Sequence, residues 1–335
     1  MKSVASAASE TNDIKAGEGP IIADYQALRT GAACRRMHER LVIQIIGDDR
    51  VSFLHGMCTA DIKSMTAGQV APALFVTERA HLIAAFSVYA LADAFLIEVD
   101  RTEWPGLRAH LEKFLVADDV EFEELTRLTV IDIEGPQAAA VLARIIGDTP
   151  EPWRIDEARM IASIPRIGLP AFTLLSETEA ADGLLQLFEA AGARPISNTE
   201  ALEIIRIENG IARVGVDTSD KTLALEARLE PAISLRKGCY IGQETLERAT
   251  ARGGIKKRLF GLRIADGARL DSGAAIMLGE KPAGTLTSFA QSPQFGLIGL
   301  AILHHSAWNE GTGVKIHSGG ELIEASVTDL PFKNP

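Results

Sequence analysis

Cysteine is scarce: Cys34, Cys58 and Cys239 are the three in 335 residues. They are too few and too scattered for a disulfide framework and no CxxC pair occurs, so a reducing compartment, the cytoplasm, is expected. Long apolar runs are also missing. No stretch reaches the ~18 apolar residues needed to span a bilayer. The first twenty residues, MKSVASAASETNDIKAGEGP, lack an apolar segment and carry Glu10, Asp13 and Glu18. They fit neither a secretory nor a mitochondrial presequence, and residues 1–34 read as a poorly ordered tail. Positive charge is in deficit, and a net charge of −11 leaves no broad basic surface for nucleic acid. The adjacent His304 and His305 would point apart on a strand, a poor arrangement for paired metal ligands. No solenoid-type repeat is visible.

With 47% hydrophobic and 24% charged residues, the composition is that of a soluble globular protein of two or three domains. Strand-like runs (41–46, 82–91, 94–99, 128–133) alternate with helical patterns such as WPGLRAHLEKFL, and a further helix closes at Gly147. A second zone repeats the mixture. A strand covers 171–175, a helix follows at 178–191, and Ser197 with Glu200 forms a capping box for the helix carrying Arg206 and Glu208. The last zone differs. Thirteen of the 29 glycines lie from Gly253 onward, between short β runs (LFGLRI, AGTLTSF, LIGLAIL, GVKIHS), which marks an all-β barrel or sandwich. The expected division is an α/β domain at 35–150, a second at 151–256 and the β domain at 257–335, an α+β protein overall.

The most informative segment is KGCYIGQE, Lys237 to Glu244. It sets Cys239 between glycines, two residues from a cation and just before a helix with Leu246 and Ala249 on one side and Arg248 and Arg252 on another. A nearby ammonium and a helix N-terminus both favour a thiolate, so Cys239 with Lys237 is the candidate reactive pair. The competing reading is a buried cysteine that shapes the turn. From Arg236 to Arg258 there are seven basic and two acidic residues, an island that suits a small anion or is an ordinary solvated helix face.

K-G-C-Y-x-G-Q-E resembles the signature of the YgfZ family of folate-binding proteins, relatives of the glycine-cleavage T protein. Three further segments extend the resemblance: GDDRVSFLHGMCTADI (47–62), with His55 where Gln is common; RIENG (206–210); and GTLTSFAQSPQFGLIGLAIL (284–303), whose hydroxyls read as turn-forming. It implies an α/β domain, a ferredoxin-like domain and a C-terminal β-barrel around a central folate channel. It further implies tetrahydrofolate as ligand and support of iron–sulfur cluster assembly or repair in client enzymes, with Cys239 essential. Glu208 would hold the pterin ring, since a carboxylate can accept two N–H bonds from it, unless it makes a salt bridge to an arginine instead. Arg206, Tyr240 and Gln243 complete the expected folate site, with Arg252 and Lys256 on the glutamate tail. Where the aminomethyltransferases carry their catalytic aspartate, this chain has Ala84 and Ala85. Alanine moves no proton, so one-carbon transfer of the T-protein type is the alternative function and catalysis is left open.

Overall fold

Which face each strand buries sets the layering. The computed structural model describes residues 19–196, 198–251 and 254–334. Helix α1 (Pro20–Thr30) starts with proline in its first turn, buries Tyr25 and Leu28, and leads into strand β1 (Ala33–Arg36). Residues 20–34 are therefore no tail. The spacing of Tyr25 and Leu28 makes an apolar face that packs with Leu202 and Ile205. The rest of the expected tail, residues 1–18, lies outside the described residues.

The first sheet is built from β2 (Arg40–Ile46), β3 (Val70–Val76), β4 (Leu82–Ala90), β5 (Phe95–Asp100) and β6 (Glu121–Glu124), in the order β3-β4-β5-β2-β6. All its pairings are antiparallel. Ile43, Val88, Ile97 and Val99 cluster with α2 (Arg50–Met57) and α3 (Trp104–Glu112). The alternate residues Val42, Tyr89 and Leu96 cluster with Val130 and Leu175 of a second sheet. Strand β5 is buried on both faces from Phe95 to Val99, and its sequence there is apolar apart from Glu98.

The second sheet comprises β7 (Leu128–Glu134), β8 (Ile155–Asp156), β9 (Ile161–Ser163), β10 (Ala171–Glu177) and β11 (Arg194–Pro195), in the order β11-β1-β7-β10-β9-β8. Counting β7, β9, β10 and β11 as strands one to four gives 4-1-3-2, the ferredoxin-like order, with β1 inserted between four and one. Helices α4 (Ala138–Ile146) and α5 (Ala181–Ala190) pack on this sheet through Val141, Leu142 and Phe188. The expected boundary at 150 cuts this sheet, because β7 pairs with β10 over seven residues. Helix α6 (Glu200–Glu208) follows; Ser197 of the expected capping box lies outside the described residues, and the Glu200 amide donates to Asn198 Oδ1 at 2.8 Å.

After α7 (Gln243–Ala251), six strands close a barrel: β12 (Lys257–Ile264), β13 (Ala275–Leu278), β14 (Lys281–Ser292), β15 (Gly296–His304), β16 (Gly313–Ser318) and β17 (Glu321–Thr328). Its first strand starts at Lys257. His304 and His305 do not point apart. The strand ends between them, and the rings sit 4.0 Å apart.

An ion cluster ties the two sheets. Glu98 is fully buried and accepts bonds from Arg40 (2.6 Å), Tyr89 (2.8 Å) and Arg166, while Arg166 also donates to Asp132 at 3.0 Å. Burial would raise the Glu98 carboxyl, but Arg166 and Arg40 outweigh it and hold it at about 2. Glu134, also buried, has neither oxygen hydrogen-bonded among the described residues. Burial and the Asp132 charge push its carboxyl up to about 8 from an ordinary 4.5. Between those values the folded chain holds a proton that the unfolded chain has lost, so stability falls as pH rises through that window. We expect Glu134→Gln to remove a slope of up to about 1.4 kcal/mol per pH unit, measured by urea unfolding at a series of pH values.

Candidate functional site

Residues 230–246 lie against the end of α2 and the β3–β4 turn. The Ser234 amide bonds Thr59 O at 2.9 Å, and the Ile241 amide bonds Gly56 O at 3.0 Å. Gly242 has φ +83°, and a β-carbon there would meet Thr77 O at 2.6 Å, so the glycine is needed both for its conformation and for this close approach. The segment places Lys237 and Tyr240 inward and Gly238 and Cys239 outward.

That alternation corrects the expected Lys237–Cys239 pair. The Lys237 ammonium donates to three backbone carbonyls, His55 (2.5 Å), Cys58 (2.6 Å) and Ala60 (2.8 Å), and lies 4.7 Å from the centre of the Tyr240 ring. Those bonds use all three ammonium donors. Burial lowers the Lys237 pKa, opposed by the neighbouring Cys58 and Asp61. Cys239 is an exposed free thiol, whereas Cys34 and Cys58 are buried. Burial pushes the Cys34 thiol up to about 12 and the Cys58 thiol to about 11. The turn-shaping, buried-cysteine reading therefore does not describe Cys239.

The other expected ligand residues are dispersed. Tyr240 is buried, and burial pushes its phenol up to about 12. Gln243 opens α7, accepts from the Tyr240 amide at 3.3 Å and donates to Glu247 at 2.6 Å. Lys256 is exposed; Arg252 lies outside the described residues. Much of the basic island is already paired. Lys237 is turned inward, Arg248 pairs with Glu244, and Arg258 pairs with Glu230 at 2.9 Å.

Arg206 and Glu208 are buried where α6 meets the barrel. Arg206 bonds Asp217 and Ser288, each at 2.7 Å, and Thr287 bonds Asp217 at 2.6 Å. Thr287 and Ser288 are thus strand residues of β14 that dock α6, rather than turn formers. Glu208 accepts from Tyr25 (3.0 Å), Arg29 and Ser292. A pterin bound to this carboxylate would have to displace those donors, so Glu208 as it stands does not fit the ring. The salt-bridge reading is the one observed, with Arg29 of α1, which lies within the expected tail. Ala84 and Ala85 lie on β4 opposite Phe75 and Leu74, and Ala84 is fully buried.

Two α/β sheets joined face to face, a barrel docked on α6 and an exposed thiol before α7 define a T-protein-like body with a cysteine signature. The GCVT N-terminal domain family matches residues 14–160, and the glycine cleavage T-protein C-terminal barrel domain family matches 257–333. A putative chloroplastic transferase of Arabidopsis thaliana is 31% identical over 302 residues, 87% of this chain and 68% of that protein. An aminomethyltransferase of Rubrobacter xylanophilus is 26% identical over 93% of this chain and 86% of its own length. The tRNA-modifying protein YgfZ of Yersinia enterocolitica is 25% identical over 66% of this chain and 68% of its own. In fold, the aminomethyltransferase T of the Bartonella henselae glycine cleavage system superposes with a TM-score of 0.84 at 21% identity, covering 93% of this chain and 89% of that one. The chain belongs to the YgfZ/GcvT family.

Brief iodoacetamide treatment near neutral pH is expected to label Cys239 ahead of Cys34 and Cys58, read by mass-spectrometric mapping of native protein. Glu208→Ala strands Arg29 beside a buried site, and its expected cost is about 3–5 kcal/mol of stability, measured by denaturant unfolding.

Proposed function

We propose that this protein is a folate-binding accessory factor that supports assembly or repair of iron–sulfur clusters in client enzymes, with Cys239 as its reactive group. The observation that carries the reading is the exposed thiol of KGCYIGQE, held outward by a lysine anchored inside. A relative named as a tRNA-modifying protein is 25% identical over 66% of this chain, which supports tRNA-modifying enzymes as a class of client. Tetrahydrofolate is the ligand the family suggests. Since Glu208 and Arg206 are committed to the barrel contact, no step is assigned to a pterin on them.

The alternative is a folate-dependent aminomethyltransferase, favoured by relatives of that name. Against it, the strand positions expected to carry the acid hold Ala84 and Ala85. The deciding experiment is complementation of a strain lacking this gene, scored on several iron–sulfur enzymes, beside an assay of the purified protein for methylene-tetrahydrofolate formation. Wild type is expected to restore the enzymes and Cys239→Ser to fail, with no one-carbon transfer detected. Full rescue by Cys239→Ser, or robust transferase activity, would reject the reading.

A further inference from the structure

With Lys237 committed to carbonyls, another group has to act on the thiol if the signature is chemically active. His55 is the candidate, because its ring lies beside Gly238, the residue before Cys239. It lies on α2 and is buried, 6% exposed. Its Nδ1 accepts from the Lys63 amide at 3.4 Å, with the Asp61 carboxylate 3.5 Å away. An amide N–H can only donate, whereas the partly exposed Asp61 can turn to water, so the ring proton belongs on Nε2. That nitrogen has no hydrogen-bond partner among the described residues and faces the signature: a β-carbon at Gly238 would lie 3.8 Å from it.

We propose that His55 is the positioning residue of the signature thiol, its Nε2–H donating to the sulfur of Cys239 when that sulfur is anionic. The inference rests on the reading of Cys239 as a reactive group, and it transfers to His55 the role first assigned to Lys237. The charged groups facing the imidazole are Lys237 from the signature segment and Asp61 and Lys63 from the loop after α2; burial and Lys237 lower its pKa, so the ring is neutral near pH 7. A neutral imidazole with its proton on Nε2 is a fixed donor. It can stabilise a thiolate without itself adding a charge. Glutamine also carries an N–H donor, so it can serve the same end at this position.

The test is the pH profile of Cys239 alkylation by iodoacetamide, in which a C–S bond forms, iodide leaves and the thiol proton passes to solvent. His55→Leu is expected to label about tenfold more slowly near pH 7, with its midpoint raised by about one pH unit. His55→Gln is expected to stay within about threefold of wild type, because the donor is retained. Labelling of His55→Leu at the wild-type rate, or of His55→Gln as slowly as His55→Leu, would overturn the proposal. Should His55→Leu not fold, nitrogen-15 NMR of labelled wild-type histidine decides instead: a proton on Nδ1 would overturn it, and one on Nε2 would uphold it. Complementation by Cys239→Ser bears on the cluster-assembly reading alone, so the two can fail separately.

Discussion

A buried ammonium organises the candidate site. Once α2 ends, the carbonyls of His55, Cys58 and Ala60 need donors that the helix cannot supply, and Lys237 meets all three from a segment some 180 residues away in sequence. A buried lysine is costly unless its charge is well coordinated, so the contact specifies one placement of the signature and with it the outward direction of Cys239. Tyr240 closes over the ammonium, and Gly242 allows the chain to pass against Thr77. The exposed thiol follows from this inward anchoring.

The same logic operates at α6. Arg206 and Glu208, two residues apart on the helix, reach Ser288 and Ser292, four apart on β14, and each is further tied by charge to Asp217 or Arg29. Leu259, Ile298 and Phe332 of the C-terminal region cluster around Ile207 between them. The helix therefore joins the N-terminal helix to the barrel. A buried ion pair adds little net stability over apolar packing, but it admits few alternative arrangements, which suits a joint between domains.

Much of the fold could be read from periodicity. Strands such as Arg40–Ile46 and Leu128–Glu134, the α4 helix closed by Gly147 and the glycine-punctuated barrel all carry local patterns that the structure retains. The elements that escaped were those whose signal is weak or nonlocal. Helix α1 follows a polar stretch and buries only a narrow face. Strand β1 is four residues long and owes its place to pairing with β7 and β11. The boundary at 150 failed for a related reason, since linear spacing cannot show that β7 pairs forward with β10 rather than backward with the first sheet.

The candidate site divides along the same line. The sequence by itself determined that a thiol, a lysine and two glycines stand together before a helix, and that residues 84 and 85 are alanines, which carry no acid, because these are facts of residue identity. Tertiary structure alone decided that Lys237 serves three carbonyls rather than the thiol, that Glu208 meets Arg29 rather than a free pocket, and that His55 reaches the signature. Each of these depends on which groups share a desolvated space. Burial favours arrangements in which most polar atoms find a partner, and those partners come from segments that no local pattern connects.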